Sequence, residues 1–255
     1  VIAVIGAKGG VGSSFVTVNL AAEMAPVHRV CAVDLDFSMG DLASMLDLQT
    51  TNSIQDLLGN LTRLDERMLT GSVAVHPSGL HVIAQPLELL ENEFLRGEDV
   101  LKVLSTAADG YQYLFVDCGG RIDEATRTAS TVADLILLVC SPDVPSVKNA
   151  WRRLHLLDRQ GVDLNRVRLV VNRWGKNPPL NEHDIESNLG IPVAATIAND
   201  PNRCQHAVNV GALLREVDKR CAASSDISNL VSLITDGVKR VEPHSSNRPL
   251  SWLFG

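Results

Sequence analysis

The sequence has no closely spaced pair of cysteines and no apolar run long enough to cross a membrane. Its five cysteines stand far apart, so neither a disulfide framework nor a zinc or iron–sulfur site is indicated. The longest apolar runs, such as Leu135–Cys140, have the length of a strand, whereas a membrane-spanning helix needs about 20 apolar residues. These absences predict a reduced, cytoplasmic protein.

Basic residues are also in the minority. Lys and Arg number 23 against 30 Asp and Glu, which gives a net charge of −7. A protein that coats nucleic acid through charge needs a basic surface to displace counterions, so nucleic acid is disfavoured as a partner. One predicted helix carries repeated positive charge, at Lys148, Arg152, Arg153 and Arg159. We interpret this as a solvated helix face, with a partner or nucleic-acid surface as the alternative.

What the sequence does contain is a regular alternation of short β-branched runs and helical segments. This alternation predicts an α/β fold in which a doubly wound, mostly parallel sheet lies between two layers of helices. We expect one domain over residues 1–241 and a tail over residues 242–255. Because the chain opens inside an apolar strand at Val1, without an initiator Met, we also expect an upstream domain.

The predicted elements around the candidate site residues follow from this pattern. The strands among them are Val1–Ile5, Val30–Asp34, Leu80–Ala84, Tyr113–Asp117, Leu135–Cys140, Arg166–Val171 and Val193–Ile197. The helices among them are Ser13–Met24, Glu124–Val132, Val147–Arg159, Cys204–Val210 and Ile227–Val241.

A glycine-rich loop joins the first predicted strand to the first predicted helix, and it reads Gly6-Ala7-Lys8-Gly9-Gly10-Val11-Gly12-Ser13-Ser14. Glycines let the backbone turn its N–H groups toward an anion, and the positive end of the following helix attracts phosphate. Ser14 stands where a hydroxyl would hold Mg²⁺. The loop therefore indicates phosphate binding rather than an ordinary turn between a strand and a helix.

The loop departs from the usual phosphate-binding sequence at one position. That sequence, GxxxxGK[ST], places a lysine directly before the hydroxyl residue, where this chain has Ser13, and a lysine occurs earlier, at Lys8. The loop thereby resembles the deviant Walker A loop of the ParA/MinD superfamily, a group of P-loop ATPases. The resemblance implies ATP and Mg²⁺ as cofactors and a homodimer with ATP sandwiched at its interface. It also implies that Lys8 acts on the nucleotide of the partner subunit.

Carboxylates end two of the predicted strands, and this edge of a parallel sheet is where α/β proteins bind ligands. On the superfamily pattern, Asp36 would orient the attacking water or the Mg²⁺ shell, while Asp34 supports the loop. Asp117 resembles a Walker B carboxylate that holds Mg²⁺, and Gly120 follows it at the spacing of a switch loop that senses a γ-phosphate. Gly119 stands where the superfamily usually has Pro, which predicts a more flexible switch loop.

Two later positions resemble the superfamily's purine-binding segments. Asn172, after the strand Arg166–Val171, is the candidate for recognition of the base, although Asn is also a common turn residue. Asp200, followed by a proline, matches the segment that closes over the base.

Within the superfamily, the chain looks most similar to the CpaE/TadZ branch, whose members act in Flp (Tad) pilus assembly. The features that carry this resemblance are the missing late lysine and the stretches 34–42 and 76–82. The chain ends in Arg248-Pro249-Leu250-Ser251-Trp252-Leu253-Phe254-Gly255, a short version of the membrane-binding tail of MinD-type proteins. The resemblance implies pilus-assembly or secretion proteins as partners, a polar or membrane-peripheral location and weak membrane contact through the tail. A tail that is free or packed on its own domain is the alternative.

The leading hypothesis is a dimerising, ATP-binding localisation protein with slow or no hydrolysis, because the loop lacks one cation. One alternative is a cycling ATPase of the MinD or ParA type that positions membrane- or DNA-associated cargo. A second alternative is a scaffold that has lost nucleotide binding.

Overall fold

The computed structural model describes residues 1–86 and 95–235. Within these ranges, one sheet is built from β1 (Ile2–Gly6), β2 (Val30–Asp34), β3 (Ala74–Val75), β4 (His81–Ile83), β5 (Tyr113–Asp117), β6 (Leu135–Cys140), β7 (Val167–Trp174) and β8 (Val193–Ala198). The strand order is β3-β4-β2-β5-β1-β6-β7-β8. All neighbouring strands run parallel except β3 and β4, which are antiparallel.

Helices cover both faces of this sheet. They are α1 (Ser13–Met24), α2 (Leu42–Met45), α3 (Ile54–Leu58), α4 (Glu66–Thr70), α5 (Gly97–Gly110), α6 (Glu124–Val132), α7 (Val144–Arg159), α8 (Glu182–Leu189), α9 (Pro201–Asn209), α10 (Leu214–Asp218) and α11 (Ala222–Thr235). One face packs against α3–α8 and the other against α1, α2, α10 and α11. Over the described ranges, no helix is both long and apolar enough to span a bilayer. The prediction of a doubly wound, mostly parallel sheet is confirmed.

The central strands are buried on both faces, which explains their unbroken apolar sequences. Every residue of β1 and β2 is buried, as are the last five residues of β6. A strand covered by helices on both sides cannot alternate polar and apolar side chains without burying polar groups. The loops that follow β1, β2 and β5 all leave the sheet at its carboxyl edge, where the candidate site residues therefore gather.

Several element bounds differ from those that the sequence predicted. β7 continues to Trp174, so Asn172 lies within a strand instead of after one. The pairing of β7 with β8 shifts register beyond Val171, and Arg173 has a positive φ of 59°, so the strand bends while remaining in the sheet. α9 begins at Pro201, three residues earlier than predicted, because Asp200 caps it.

Other differences concern the edges of the domain. The short strand β3 was not predicted, since two residues carry no periodic signal, and it pairs with β4 through a turn in which Gly79 has a φ of 88°. α11 begins at Ala222 and is described as far as Thr235. The rest of the predicted helix to Val241 and the tail over residues 242–255 lie outside the described residues.

Truncating the largest fully buried side chain of the sheet tests this packing. Phe115, on β5, is 0% exposed, and Phe115→Ala is expected to lower the free energy of unfolding by about 3–5 kcal/mol. Val27 is 77% exposed, so the control Val27→Ala should change it by less than about 0.5 kcal/mol. Urea denaturation measures both, and a loss below about 1 kcal/mol for Phe115→Ala would contradict the described core.

Candidate functional site

The phosphate loop, residues 6–14, is held between the two strands that flank β1. The N–H of Gly6 donates to the carbonyl oxygen of Gly119 after β5, and the N–H of Ala7 donates to that of Val139 in β6, each at 2.8 Å. Gly12 has a φ of 91°, a conformation that favours glycine. A Cβ at Gly12 would also lie 2.5 Å from the side-chain nitrogen of Asn172. The loop therefore has room for glycine alone at this position.

The helix that follows this loop begins without a side-chain cap. No side chain among the described residues accepts a hydrogen bond at the N-cap of α1, and its first turn contains no acidic residue. The first N–H groups of a helix have no partner within the helix, and they carry the positive end of its dipole. The loop and α1 together therefore present an anion-binding surface.

Ser13 fills the place of the usual late lysine with a short, buried side chain. It is 7% exposed, and a Cβ on Gly6 would lie 3.1 Å from its hydroxyl oxygen. The hydroxyl thus faces the start of the loop. This position brings no positive charge to the phosphate loop.

Lys8 forms an ion pair with Asp143, the residue that caps α7. The Lys8 Nζ lies 3.0 Å from Asp143 Oδ1, and about a third of each side chain is exposed. Burial acts to raise the pKa of Asp143, but hydrogen bonds from Ser141, Lys8 and Ser146 outweigh it and lower the pKa. Exposed pairs of this kind contribute about 0–1 kcal/mol, so the ammonium group can exchange partners at little cost.

Asp117 has a buried oxygen atom with no donor. The residue is 1% exposed, Oδ1 accepts from the Gly119 N–H at 3.3 Å, and Oδ2 has no hydrogen-bond partner among the described residues. Burial raises the pKa of Asp117 to about 6, against the opposing effect of the Ser14 side chain. A carboxylate oxygen and a hydroxyl are ligands that Mg²⁺ accepts, so these two residues fit the predicted magnesium site.

Within residues 1–86 and 95–235, no group of three or more His, Cys, Asp or Glu side chains is placed to hold a metal ion. Mg²⁺ is usually bound through one or two carboxylates, with phosphate and water completing its shell. A site of this type needs a phosphate ligand nearby, which the adjoining loop could bind.

Asp34 supports a loop through its hydrogen bonds, whereas Asp36 lies on that loop beside Gly119. Asp34 is fully buried and accepts the N–H groups of Asp36 and Leu42, each at 3.1 Å. Burial and the neighbouring charge of Asp117 raise the pKa of Asp34. Asp34 thus holds the loop that carries Asp36, while Asp36 itself lies against Gly119, where a Cβ would be 2.2 Å from its Oδ2.

Gly119 and Gly120 bring the switch loop directly onto the phosphate loop. Gly119 has a φ of 58°, a value that proline cannot adopt, so the proline that the resemblance leads one to expect at this position would not fit this backbone. A Cβ on Gly120 would lie 2.8 Å from the nitrogen of Gly9 and 3.0 Å from the carbonyl carbon of Lys8. Only glycine permits this approach.

Asn172 and its neighbour support the phosphate loop from β7. The Asn172 side-chain nitrogen donates to the carbonyl oxygen of Val11 at 2.8 Å, and its oxygen accepts the Arg173 N–H at 2.8 Å. The Arg173 guanidinium donates to the carbonyl oxygen of Gly10 at 2.7 Å. Sequence reasoning missed Arg173, although its position beside Asn172 at a strand end was a usable signal.

The side chain of Asp200 forms its hydrogen bonds and its ion pair with a residue of the helix that it caps, α9. Its carboxylate caps α9 by accepting the Arg203 N–H at 3.2 Å, and it pairs with the Arg203 guanidinium at 2.8 Å. These bonds lower the pKa of Asp200. The neighbouring Asn199 N–H donates to the Trp174 carbonyl oxygen at 2.9 Å, which places Asp200 near β7. Within the described part of the chain, Asp200 forms no hydrogen bond or ion pair with the phosphate loop.

Arg153 corrects the interpretation of α7 as carrying a wholly solvated basic face. Arg152 and Arg159 are exposed, whereas Arg153 is 6% exposed. Its guanidinium donates to the carbonyl oxygens of Gly120 and Arg121, the second at 2.9 Å. Helical spacing alone could not reveal this, because the partners are backbone atoms of a distant loop.

Comparisons with known proteins agree with this geometry. A family model described as an AAA domain matches residues 1–159. The septum site-determining protein MinD of Thermotoga maritima is 23% identical over 205 residues, which span 77% of this chain and 74% of that protein. The structure of a ParA family ATPase from Chlorobium tepidum has a TM-score of 0.84 at 25% identity, over 90% of this chain and 97% of the other.

A further solved structure shares the fold at lower identity. MinD from Pyrococcus horikoshii, complexed with Mg-ADP, has a TM-score of 0.79 at 17% identity, over 94% of this chain and 98% of the other. The family match covers the phosphate loop, both acidic strand ends and the switch loop. The chain therefore belongs to the ParA/MinD family of P-loop ATPases.

Proposed function

We propose that this protein binds ATP with Mg²⁺, dimerises when it does so and acts as a localisation protein in Flp/Tad pilus assembly, with slow or no ATP hydrolysis. The observation that carries the nucleotide part is the unpartnered Asp117 Oδ2 beside Ser14, at the uncapped start of α1. The Mg-ADP bound to MinD of Pyrococcus horikoshii supports the same assignment.

Each part of the site has a definite task in this proposal. The N–H groups of residues 9–14 bind the phosphates, and Ser14 and Asp117 hold Mg²⁺. ATP supplies a γ-phosphoryl group that water can attack. Asp36 orients that water, and the N–H of Gly120 binds the γ-phosphate. Asn172 and Asp200 are the proposed base-side residues, with Asn172 also holding the loop.

Slow hydrolysis follows from the charge of the phosphate loop. Catalysis of phosphoryl transfer depends mainly on positioning and on stabilising the charge that develops on the transferred group. Ser13 supplies no cation for this purpose, and the ammonium group of Lys8 is bound to Asp143 in the single chain. On the superfamily pattern, a second copy would bring its own Lys8 to each triphosphate.

Exposed apolar side chains support dimerisation at the carboxyl edge of the sheet, where the phosphate loop lies; we call this the nucleotide edge. Met39, Ile122 and Val144 are 71%, 47% and 37% exposed, and they lie close in sequence to Asp36, Gly120 and Asp143 respectively. Large exposed apolar residues around one edge are typical of an interaction surface. A second copy placed there would cover them and bring its Lys8 to the nucleotide.

The pilus role rests on the resemblance to the CpaE/TadZ branch. In the structure, the stretch 76–80 forms the turn between β3 and β4, and the stretch 35–41 forms the loop that carries Asp36. The proposal includes pilus-assembly or secretion partners, a domain over residues 1–241 and weak membrane contact through the tail. The named relative is a septum site-determining protein, which keeps a cycling MinD-type ATPase as the second candidate.

Removal of the early lysine should abolish ATP-dependent dimerisation. We expect the mass measured by light scattering to double when ATP and Mg²⁺ are added to the wild-type protein, and to stay at that of one chain for Lys8→Ala. Lys176, exposed beyond β7, supplies the control Lys176→Ala, which should dimerise normally. Equal assembly of wild type and Lys8→Ala would contradict the proposed role of Lys8.

Restoring the late lysine should strengthen nucleotide binding. Ser13→Lys is expected to bind ATP roughly tenfold more tightly, because a hydrogen bond from an ammonium group to phosphate contributes about 1.5–3 kcal/mol. Ser13→Met has similar length without charge and separates charge from packing. Titration calorimetry measures both, and equal affinities for the two variants would show that the missing charge is compensated elsewhere.

Binding of Mg²⁺ and ATP should also depend on the protonation of Asp117. Its pKa of about 6 lies above the ordinary value, so the carboxyl is ionised near neutral pH and protonated at lower pH. A proton then competes with Mg²⁺. The affinity advantage of wild type over Asp117→Asn should fall roughly tenfold between about pH 7.5 and about pH 5.

Asp117→Asn is the reference for that titration because ATP changes its own ionisation with pH in the same way for both proteins. An affinity ratio that stays constant across the pH range would contradict magnesium binding by Asp117.

A further inference from the structure

Arg153 is a buried arginine without an ion-pair partner among the described residues. It is 6% exposed, and burial lowers its pKa, an effect that the nearby charge of Asp123 opposes. Burying a guanidinium is costly unless its donors are satisfied. Its guanidinium donates hydrogen bonds to the carbonyl oxygens of Gly120 and Arg121. The burial of Arg153 is thus compensated by the switch loop.

These bonds fix the direction of the neighbouring N–H groups. The Gly119 carbonyl oxygen is held by the Gly6 N–H at 2.8 Å, and the Gly120 carbonyl oxygen is held by Arg153. A peptide group is planar and trans, so the N–H groups of Gly120 and Arg121 point away from those partners. Neither N–H donates to any residue in the described part of the chain. The loop therefore presents two free donors beside the phosphate loop.

We propose that Arg153 is a positioning residue that fixes the Arg121 N–H through the Gly120 carbonyl group, beside the Gly120 N–H fixed by the Gly6–Gly119 bond, and that it thereby holds the switch loop ready for a γ-phosphate and sets the preference for ATP over ADP. This inference rests on the proposed nucleotide binding. ADP lacks the phosphate that the switch loop would contact, so loss of Arg153 weakens ATP binding and spares ADP binding. A purely structural arginine would affect both nucleotides alike.

The chain offers a matched control in Arg166. Its guanidinium donates to the carbonyl oxygens of Ala133 and Thr131, at 2.7 and 3.3 Å, where α6 ends. This arginine also holds two carbonyl groups, but it lies at the opposite edge of the sheet, near the start of β6. Arg166→Met therefore removes equivalent bonds away from the nucleotide edge.

The experiment measures dissociation constants for ADP and for a non-hydrolysable ATP analogue, each with Mg²⁺, by titration calorimetry. Arg153→Met should lose roughly tenfold in affinity for the ATP analogue and keep its affinity for ADP. Arg153→Lys, which retains one donor group, should fall between it and wild type. Arg166→Met should keep the wild-type ratio of the two affinities.

Hydrogen exchange of the nucleotide-free proteins supplies a second measurement. Amide exchange over residues 118–123 should be faster in Arg153→Met, and to a smaller degree in Arg153→Lys, than in wild type or Arg166→Met. If Arg153→Met does not fold, both measurements are made on Arg153→Lys instead.

The possible failures are distinguishable. A wild-type protein that binds neither nucleotide contradicts the proposed function and this inference with it. A wild-type protein that prefers the ATP analogue, with the same preference in both Arg153 variants, overturns the role of Arg153 alone. Equal weakening of both nucleotides would also overturn it, because that result indicates a structural role.

Discussion

The close approach of two loops, one after β1 and one after β5, is the constraint on which the site depends. β1 and β5 are adjacent parallel strands, so the loops that follow them leave the sheet side by side. The Gly6–Gly119 hydrogen bond joins them, and Gly120 packs against Gly9 with no space for a side chain. A change in the conformation of the switch loop must therefore shift the backbone that would bind phosphate.

Few positively charged side chains lie around these two loops. The uncapped start of α1 and the free N–H groups of the switch loop attract anions, while Asp34, Asp36 and Asp117 lie at the ends of the adjacent strands β2 and β5. Two of these carboxylates are buried, which raises their pKa values. A metal ion between the carboxylates and bound phosphate would reduce both the repulsion between these negative groups and the cost of burying charged carboxylates.

Much of the central sheet could be predicted from the sequence, and for a physical reason. β2, β5, β6 and α1 have the predicted bounds because strands buried on both faces must be continuously apolar and because glycine and charge mark their ends. The candidate residues Lys8, Ser14, Asp36 and Asp117 were found from the motifs at the ends of these strands together with the family resemblance. Asp117 ends β5, Asp36 follows β2, and Lys8 and Ser14 belong to the loop and helix after β1, so local sequence sets their place in the fold.

The remainder depends on contacts between distant segments, which leave no periodic signal. The extension of β7 beyond Val171 comes from its pairing with β8, and the short strand β3 exists through its pairing with β4. Arg153 looked like one of several basic residues on a helix surface, because the carbonyl groups that bind it are about 30 residues away in the chain. Only the packing of α7 against the switch loop distinguishes it from Arg152.

The single serine at position 13 has an electrostatic consequence for assembly. A magnesium–triphosphate complex remains an anion, and in the proposed dimer one ammonium group per binding site, that of the second copy's Lys8, would neutralise its charge only in part. Each chain adds a net charge of −7 to this excess. Two such chains approach one another against long-range repulsion, which dissolved ions screen over about 10 Å at 0.1 M. Salt would therefore act on the proposed pair in two opposite directions, weakening this long-range repulsion and also the attraction between Lys8 and phosphate.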